Sequence, residues 1–296
     1  MQDKLSFHEQ ISRNKLKSFF LIFLVFVVLI ALTYVIGLIY TPDFYLILAI
    51  GSLFSIFYVW LSYYFSDKIA LASVSAKEAS YNQYRQLHHV VEGLCLASGL
   101  PKPKIYIMPG NQINAFASGR DPKHAVIAVT EGAISKLDKQ ELEGVIAHEL
   151  SHISNYDIRF MTLTAIMVGM ISIIAQIFLR SLWFRGSSND NRKGGNAVLM
   201  IIGILLAILA PIVVKLVSLS ISRKREYVAD ASSVKFTRSP TGLIRALKKI
   251  KTDSSVLKVS GALSPLFMSD PSRKDISDIF QTHPSIEKRI KILEAM

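Results

Sequence analysis

Ser18 to Tyr40 reads SFFLIFLVFVVLIALTYVIGLIY and contains no charged residue. An α-helix needs about 20 predominantly apolar residues to cross the hydrocarbon core of a bilayer, and this run supplies them. The run is also too long for the apolar part of a cleaved signal peptide. It therefore predicts a transmembrane helix and a fold that is organised around a membrane.

A second uncharged run, Phe44 to Phe65, follows after the turn Thr41-Pro42-Asp43. Its end carries Trp60, Tyr63 and Tyr64, and such aromatic residues favour the interface between lipid and water. We therefore expect residues 1–65 to form an N-terminal arm and a transmembrane hairpin, with helices over 18–40 and 44–65.

Two further apolar runs, 160–179 and 197–214, lie within a segment that we delimit as 159–221. Both contain residues such as Gly169 and Pro211, which membrane helices tolerate, but either run could instead form a buried or re-entrant segment. The loop between them carries more cations than an external loop normally holds: Arg180, Arg185, Arg192 and Lys193. The sequence predicts a second pair of apolar helices and leaves its depth open.

The orientation follows from the flanking cations, which membrane proteins concentrate on the cytoplasmic side. Cations stand on both outer sides of the first hairpin and are absent from its turn: Lys4, Arg13, Lys15 and Lys17 before it, and Lys68, Lys77 and Arg85 after it. This pattern places the N-terminus and residues 66 to about 157 in the cytoplasm.

The overall composition agrees with a membrane protein, since 51% of residues are hydrophobic and 19% are charged. Disordered chains require the opposite balance, and a single cysteine excludes a disulfide scaffold. The net charge of +12 fits cations close to anionic lipid. No basic face interleaved with aromatic residues indicates a nucleic-acid partner, so the expected partner of this charge is the lipid bilayer.

The two polar stretches, 66–158 and 222–296, are expected to form a small α+β domain. Together with the apolar helices, the expected fold is a mainly α membrane protein. Hydrophobic periodicity predicts helices over Ala76–Ser98 and from Ser135 or Asp138 onward. Short apolar runs predict strands over Lys104–Met108 and Ala125–Thr130, and Asn111–Lys123 between them is expected to be a loop. Further helices are expected over Arg223–Phe236 and Pro240–Thr252 and from Pro284.

One predicted helix carries the sequence His148-Glu149-Leu150-Ser151-His152. Residues four apart share a helix face, so both imidazoles can bind one metal ion. A catalytic zinc keeps three protein ligands and one open position, and Glu149 lies where a carboxylate can accept a proton beside it. Apolar neighbours such as Ala147 and Ile153 indicate a buried face, where unpaired imidazoles are costly.

A third ligand is then required, and no histidine follows His152 closely. Glu226 and Asp230 are again four residues apart, so Glu226 can bind the metal while Asp230 accepts the second N–H of a ligand histidine. The alternative is that Glu226 only balances the adjacent cations Arg223, Lys224 and Arg225. The spacing alone does not decide between the two interpretations.

With these residues in place, the chain resembles the HtpX-type membrane zinc metallopeptidases, in the group that includes the CAAX prenyl endopeptidases. The similarity extends over nearly the whole length and rests on several motifs in one order: the apolar hairpin, Asn114-Ala115-Phe116-Ala117, the HELSH motif followed by Asn155-Tyr156-Asp157, the second apolar pair, SRKREYVADA from Ser222, and Thr282-His283-Pro284 continuing to Ile290.

The resemblance implies a zincin-like catalytic domain with one Zn²⁺ per chain. His148, His152 and Glu226 would be its ligands, Glu149 the general base and Asp230 the partner of a ligand histidine. Residues 66–158 would supply the HExxH part of the site and residues 222–296 the distal ligand, both in the cytoplasm.

Other roles implied by the resemblance have simpler alternatives. Asn114 and Ala115, with the strand Ala125–Thr130, would line a cleft where an extended substrate adds a strand, although Asn114 is also a common turn residue. His283 would stabilise the developing oxyanion or serve only as a structural residue before a helix. Arg289 is expected to pair with a carboxylate of the catalytic domain.

The resemblance also implies an endopeptidase of the bacterial cytoplasmic (inner) membrane that hydrolyses unfolded or damaged membrane proteins in a stress response. A protease with its HExxH motif inside a transmembrane helix is disfavoured by the charges before it: Lys136, Asp138, Lys139, Glu141 and Glu143. A scaffold or chaperone with structural zinc would need a closed shell of four ligands. The sequence names no substrate and no oligomeric state.

Overall fold

The computed structural model describes residues 44–166, 223–257 and 284–296, together with the short run 266–269 and scattered single positions. Nearly all of the first apolar run, 18–40, lies outside the described residues. The same holds for 167–179 of the third apolar run and for nearly all of 197–214. Residues 157–166, at the start of the third apolar run, are helical.

The described chain begins with helix α1, Phe44–Tyr64, followed by the short helix α2, Ser66–Ser73. Helix α1 exposes large apolar side chains along its length, among them Leu53, Phe54 and Trp60. No described helix qualifies as a membrane span by itself. The stretches Ala49–Tyr64 and Ser66–Ser73 qualify together as one pair bent by 75°, on length and composition alone.

A four-stranded sheet follows, with the strand order β1-β2-β4-β3. Strand β1 is Lys77–Glu78, β2 is Lys104–Met108, β3 is Ala115–Gly119 and β4 is Ala125–Thr130. Strands β2 and β4 are parallel, with Ile105 opposite Ile127, while β1 and β3 run antiparallel to their neighbours. The bounds predicted for β2 and β4 are confirmed.

Two predictions in this region are wrong. Helix α3 covers Arg85–Ser98 rather than the predicted Ala76–Ser98. The first residues of the predicted helix instead form strand β1 and a turn. Its end is as predicted, since Gly99 adopts the left-handed conformation with a φ of 71°. The segment predicted as a loop, Asn111–Lys123, contains strand β3, which is buried over its whole length.

The sheet is covered on both faces, and its buried residues alternate between two hydrophobic cores. Ile105, Ile127 and Val129 point toward the core that contains helix α3 and the helix of the HELSH motif. Val126 and Phe116 point to the other side, where they pack with residues of helix α2 and with Phe267. A strand buried on both faces shows no alternation of polar and apolar residues, which explains why β3 is inconspicuous in the sequence.

The remaining helices are α4, Glu131–Lys136; α5, Lys139–Ser154; α6, Arg223–Thr237; α7, Thr241–Thr252; and α8, Ile286–Leu293. Helix α5 starts with a capping box, in which the Asp138 side chain accepts the N–H of Glu141 and the Glu141 side chain accepts the N–H of Asp138. Gly144 of α5 lies directly against the backbone of α7 at Leu243, so the two helices touch there without an intervening side chain.

Candidate metal centre

Helix α5 presents His148 and His152 one turn apart on a fully buried face. Helix α6 runs against it and brings Glu226 to the same point. The Nε2 atoms of the histidines are 3.3 Å apart, and each faces a different oxygen of Glu226, at 3.5 Å for His148 and 3.6 Å for His152. One ligand atom from each residue therefore forms a small triangle.

The size of this triangle fits a zinc ion. With metal–ligand bonds of about 2.0–2.1 Å at tetrahedral angles, two ligand atoms stand about 3.3–3.4 Å apart. The 3.3 Å between the two imidazole nitrogens matches this value, and each nitrogen lies 3.5 or 3.6 Å from one oxygen of Glu226. Two imidazoles with one carboxylate are a donor set of catalytic zinc sites. The distance between His148 and Glu226 also shows that the two helices meet at one site, as the shared metal requires.

The other ring nitrogen of His148 is held by Asp230, with 3.0 Å between Nδ1 and Oδ1. Burial and the charge of Arg289 act to lower the pKa of His148, but its bonds to Asp230 and Glu226 prevail and raise it to about 9. The Asp230 contact is the one predicted from the spacing of Glu226 and Asp230. It fixes the orientation of the imidazole.

Arg289 of helix α8 completes this side of the site, and its side chain is fully buried. It donates two hydrogen bonds to Asp230, from Nε at 2.9 Å and from Nη2 at 2.6 Å, and its Nη1 lies 3.5 Å from Glu226. Although burial opposes ionisation of Asp230, the Arg289 charge keeps the pKa of that carboxyl below its usual value. The expected pairing of Arg289 with a carboxylate is confirmed.

The second histidine has a carboxylate partner that the sequence interpretation missed. Asp157 places Oδ2 at 3.2 Å from His152 Nδ1, and its other oxygen lies 3.6 Å from Nε of Arg225. Helical spacing gives no sign of this contact, because a turn separates the two residues. The available signals were a carboxylate just beyond the HELSH helix and a cation next to Glu226.

Glu149 is a residue of helix α5, is 1% exposed and contacts strand β3 at Ala117. Its burial raises the pKa of the carboxyl, against the effect of the His148 and His152 charges, and the backbone N–H of Ala117 is hydrogen-bonded to it. The carboxyl thus lies next to the ligand histidine His148 in sequence and has a pKa above its usual value. This combination suits a group that takes up and releases a proton.

Asn114 and Ala115, the predicted substrate contacts, are both fully buried. The Asn114 amide donates to the carbonyl of Ser269 at 3.0 Å and accepts the N–H of Ala115 at 3.1 Å. The carbonyl of Ala115 accepts the N–H of Met268 at 3.0 Å. These groups bond within the chain in this structure, so a direct substrate contact there stays a prediction. His283 lies outside the described residues.

Comparisons with known proteins extend this geometry. Residues 81–296 match the model of peptidase family M48. A protease HtpX homolog of Thermoanaerobacter pseudethanolicus is 45% identical over 252 residues, which are 83% of each chain. A protease HtpX homolog of Dictyoglomus thermophilum is 39% identical over 293 residues, which are 98% of this chain and 95% of the relative.

Among solved structures, the crystal structure of S. mikatae Ste24p resembles this chain with a TM-score of 0.50 and 19% sequence identity. The match covers 97% of this chain and 67% of that one. At this identity the similarity concerns the fold.

Proposed function

The chain is a zinc metalloprotease of peptidase family M48, and from that premise we propose that it is a membrane-bound endopeptidase whose active site faces the cytoplasm. We propose further that it hydrolyses unfolded or damaged membrane proteins at the bacterial inner membrane, as part of a stress response. The observation that carries the proposal is the triangle of His148, His152 and Glu226 with the buried carboxyl of Glu149 beside it.

In this proposal one Zn²⁺ per chain is held by the two imidazoles and the Glu226 carboxylate. A bound zinc ion supplies Lewis acidity, which polarises a carbonyl and lowers the pKa of water. Glu149 accepts the proton of the attacking water and returns it to the leaving nitrogen. Asp230 and Arg289 hold His148 in place and balance the charge of the carboxylates.

The membrane part of the proposal rests on the HtpX relatives and on the apolar runs. Helix α1 displays exposed apolar side chains along its length and ends in Trp60, Tyr63 and Tyr64, immediately before the domain that contains the site. A hairpin at 18–40 and 44–65 and a second pair within 159–221 would anchor that domain. Substrates that are themselves embedded in the bilayer would then lie close to the catalytic centre.

A site within a transmembrane helix is a poor alternative. The ligand helix α5 begins with the polar capping box of Asp138 and Glu141. It packs against the sheet on one side and against helix α7, and its buried Glu141 pairs with Lys249 at 2.6 Å. These are the surroundings of a helix in a water-exposed α+β domain.

The proposal is tested by Glu149→Gln in the full-length protein purified in detergent. We expect zinc content and thermal stability to stay near wild type, while cleavage of an unfolded substrate such as casein falls about 10²–10⁴-fold, because the proton acceptor is lost. Glu143→Gln makes the same change on the same helix away from the ligands, and it should leave turnover unchanged.

Normal cleavage by Glu149→Gln would refute its assignment as the base. Wild-type protein that binds zinc but leaves unfolded substrates intact would instead refute the proposed substrate class and leave the metal site standing.

A further inference from the structure

Asp157 contacts His152, the second ligand histidine, and follows a turn with a left-handed residue. Helix α5 ends at Ser154, and Tyr156 then adopts a left-handed conformation with a φ of 59°. This conformation costs a residue other than glycine about 1–2 kcal/mol. Asp157 then begins the next helical segment, with its side chain against His152 at 3.2 Å.

Arg225 fixes Asp157 from the opposite side. It is 4% exposed, its Nε lies 3.6 Å from the second oxygen of Asp157, and its guanidinium stands 4.5 Å above the ring of Phe160. Arg225 directly precedes Glu226 in helix α6, so one turn of this helix supplies both the third ligand and the partner of Asp157. A buried guanidinium is costly unless a carboxylate balances its charge.

The geometry leads us to propose that Asp157 and Arg225 are positioning residues for His152. Asp157 accepts the hydrogen of His152 Nδ1, which leaves the lone pair of Nε2 directed at the position between His148 and Glu226. Arg225 balances the charge of Asp157 and holds its carboxylate against the imidazole. The inference rests on the proposed zinc site and adds to it a second support, equivalent to the one that Asp230 and Arg289 provide for His148.

A purely structural role would also explain a buried Asp157–Arg225 pair, since the pair ties the end of helix α5 to helix α6. The two roles differ in what they do to the metal. A structural tie affects the stability of the fold, whereas a positioning residue affects the affinity of the folded protein for zinc. Loss of a hydrogen-bond partner of a ligand histidine typically weakens metal binding by 10–100-fold.

The test measures zinc affinity of the full-length protein in detergent by competition with a chromophoric chelator, and records the visible spectrum of the Co²⁺-loaded form. Asp157→Ala removes both the acceptor and the charge, whereas Asp157→Asn keeps an acceptor oxygen. Arg225→Lys keeps the charge, and Arg225→Met removes it. Circular dichroism and thermal melting of the metal-free forms report the fold separately.

Glu141→Gln serves as the matched control. Glu141 is a carboxylate of the same helix, also 1% exposed and also paired with a cation, Lys249, but it lies away from the ligand triangle. We expect this variant to lose stability while its zinc affinity stays at the wild-type value.

For Asp157→Ala we expect the zinc dissociation constant to rise about 10–100-fold, with a changed Co²⁺ spectrum. The zinc affinity of Asp157→Asn should fall less than that of Asp157→Ala. The zinc affinity of Arg225→Met should fall more than that of Arg225→Lys. Folded Asp157→Asn and Arg225→Met variants with wild-type affinity and spectrum would overturn the inference, and they decide the question if Asp157→Ala does not fold. Absence of zinc binding by the wild type would refute the proposed metal site instead.

Discussion

The two halves of helix α5 bury similar groups and use them differently. In the first half, the buried carboxylate of Glu141 contacts Lys249 at 2.6 Å and Arg245 at 3.3 Å and also caps the helix. In the second half, His148 and His152 point at a third ligand, Glu226, across gaps of 3.5 and 3.6 Å. The first half anchors the helix, whereas the second half brings three possible metal ligands together at one point.

The difference shows that the ligand groups depend on the surrounding fold to hold them in position. Grouping buried polar atoms around one point is unfavourable, so the rest of the structure must hold them there. The supports are the Asp230–Arg289 and Asp157–Arg225 pairs at the ligand end and the contact of helices α5 and α7 at the other end. Changes at the anchoring end should therefore alter stability, and changes at the ligand end should alter metal binding or turnover.

Gly144→Ala tests the anchoring end and should have the larger effect on stability. A methyl group at this position would overlap the backbone at Gly242 and Leu243, which cannot give way as a flexible side chain would. We expect the free energy of unfolding to fall by up to about 3 kcal/mol, the usual cost of overpacking. Thermal melting and chemical denaturation measure this change.

Gly93→Ala is the control for the glycine substitution. Gly93 lies inside helix α3 with open space around the position of a new methyl group, so alanine should stabilise the protein by about 0.5–1 kcal/mol. Equal stability of the two variants would show that close contact of helices α5 and α7 does not anchor the ligand helix.

Asp253, at the end of helix α7, should make a smaller contribution to the free energy of unfolding, and this contribution should depend on pH. Burial acts to raise the pKa of this carboxyl, but donors from Ile113, Ser255 and Lys136 lower it to about 2, from 3.8 for a free side chain. A lowered pKa stabilises the fold when the group is ionised. The contribution, about 2 kcal/mol, should be complete above pH 4 and disappear as the pH falls through 2.

The measurement compares the unfolding free energy of wild type and Asp253→Asn between pH 6 and pH 2. Both proteins are studied metal-free, because protonation of histidine ligands releases metal in acid. The two curves should differ by about 2 kcal/mol near pH 6 and converge in acid. A constant difference over this range would show that the charge of Asp253 contributes nothing.

The parts of the site that depend on regular spacing could be predicted from the sequence. His148 and His152 share a face because they are four residues apart, and the same spacing linked Glu226 with Asp230. The bounds of the described helices α5, α6 and α7 agree with the prediction within a few residues. These features are local, so the sequence contains them directly.

The missed features depend on contacts between distant segments. Strand β3 consists mainly of small residues and is recognisable only through its pairing with β4. The role of Asp157 depends on the left-handed turn at Tyr156 and on helix α6 placing Arg225 behind it. Neither arrangement has a periodicity that a single sequence displays.

The central claim is that residues from two helices far apart in sequence hold one zinc ion, and the metal content of Glu226→Gln tests it most directly. Wild type and variant are purified in detergent, dialysed against a weak chelator and analysed by atomic emission. We expect about one zinc per wild-type chain and loss of most of it in the variant, with the metal-free fold preserved in both. Equal zinc in a folded Glu226→Gln protein would show that Glu226 is not a metal ligand.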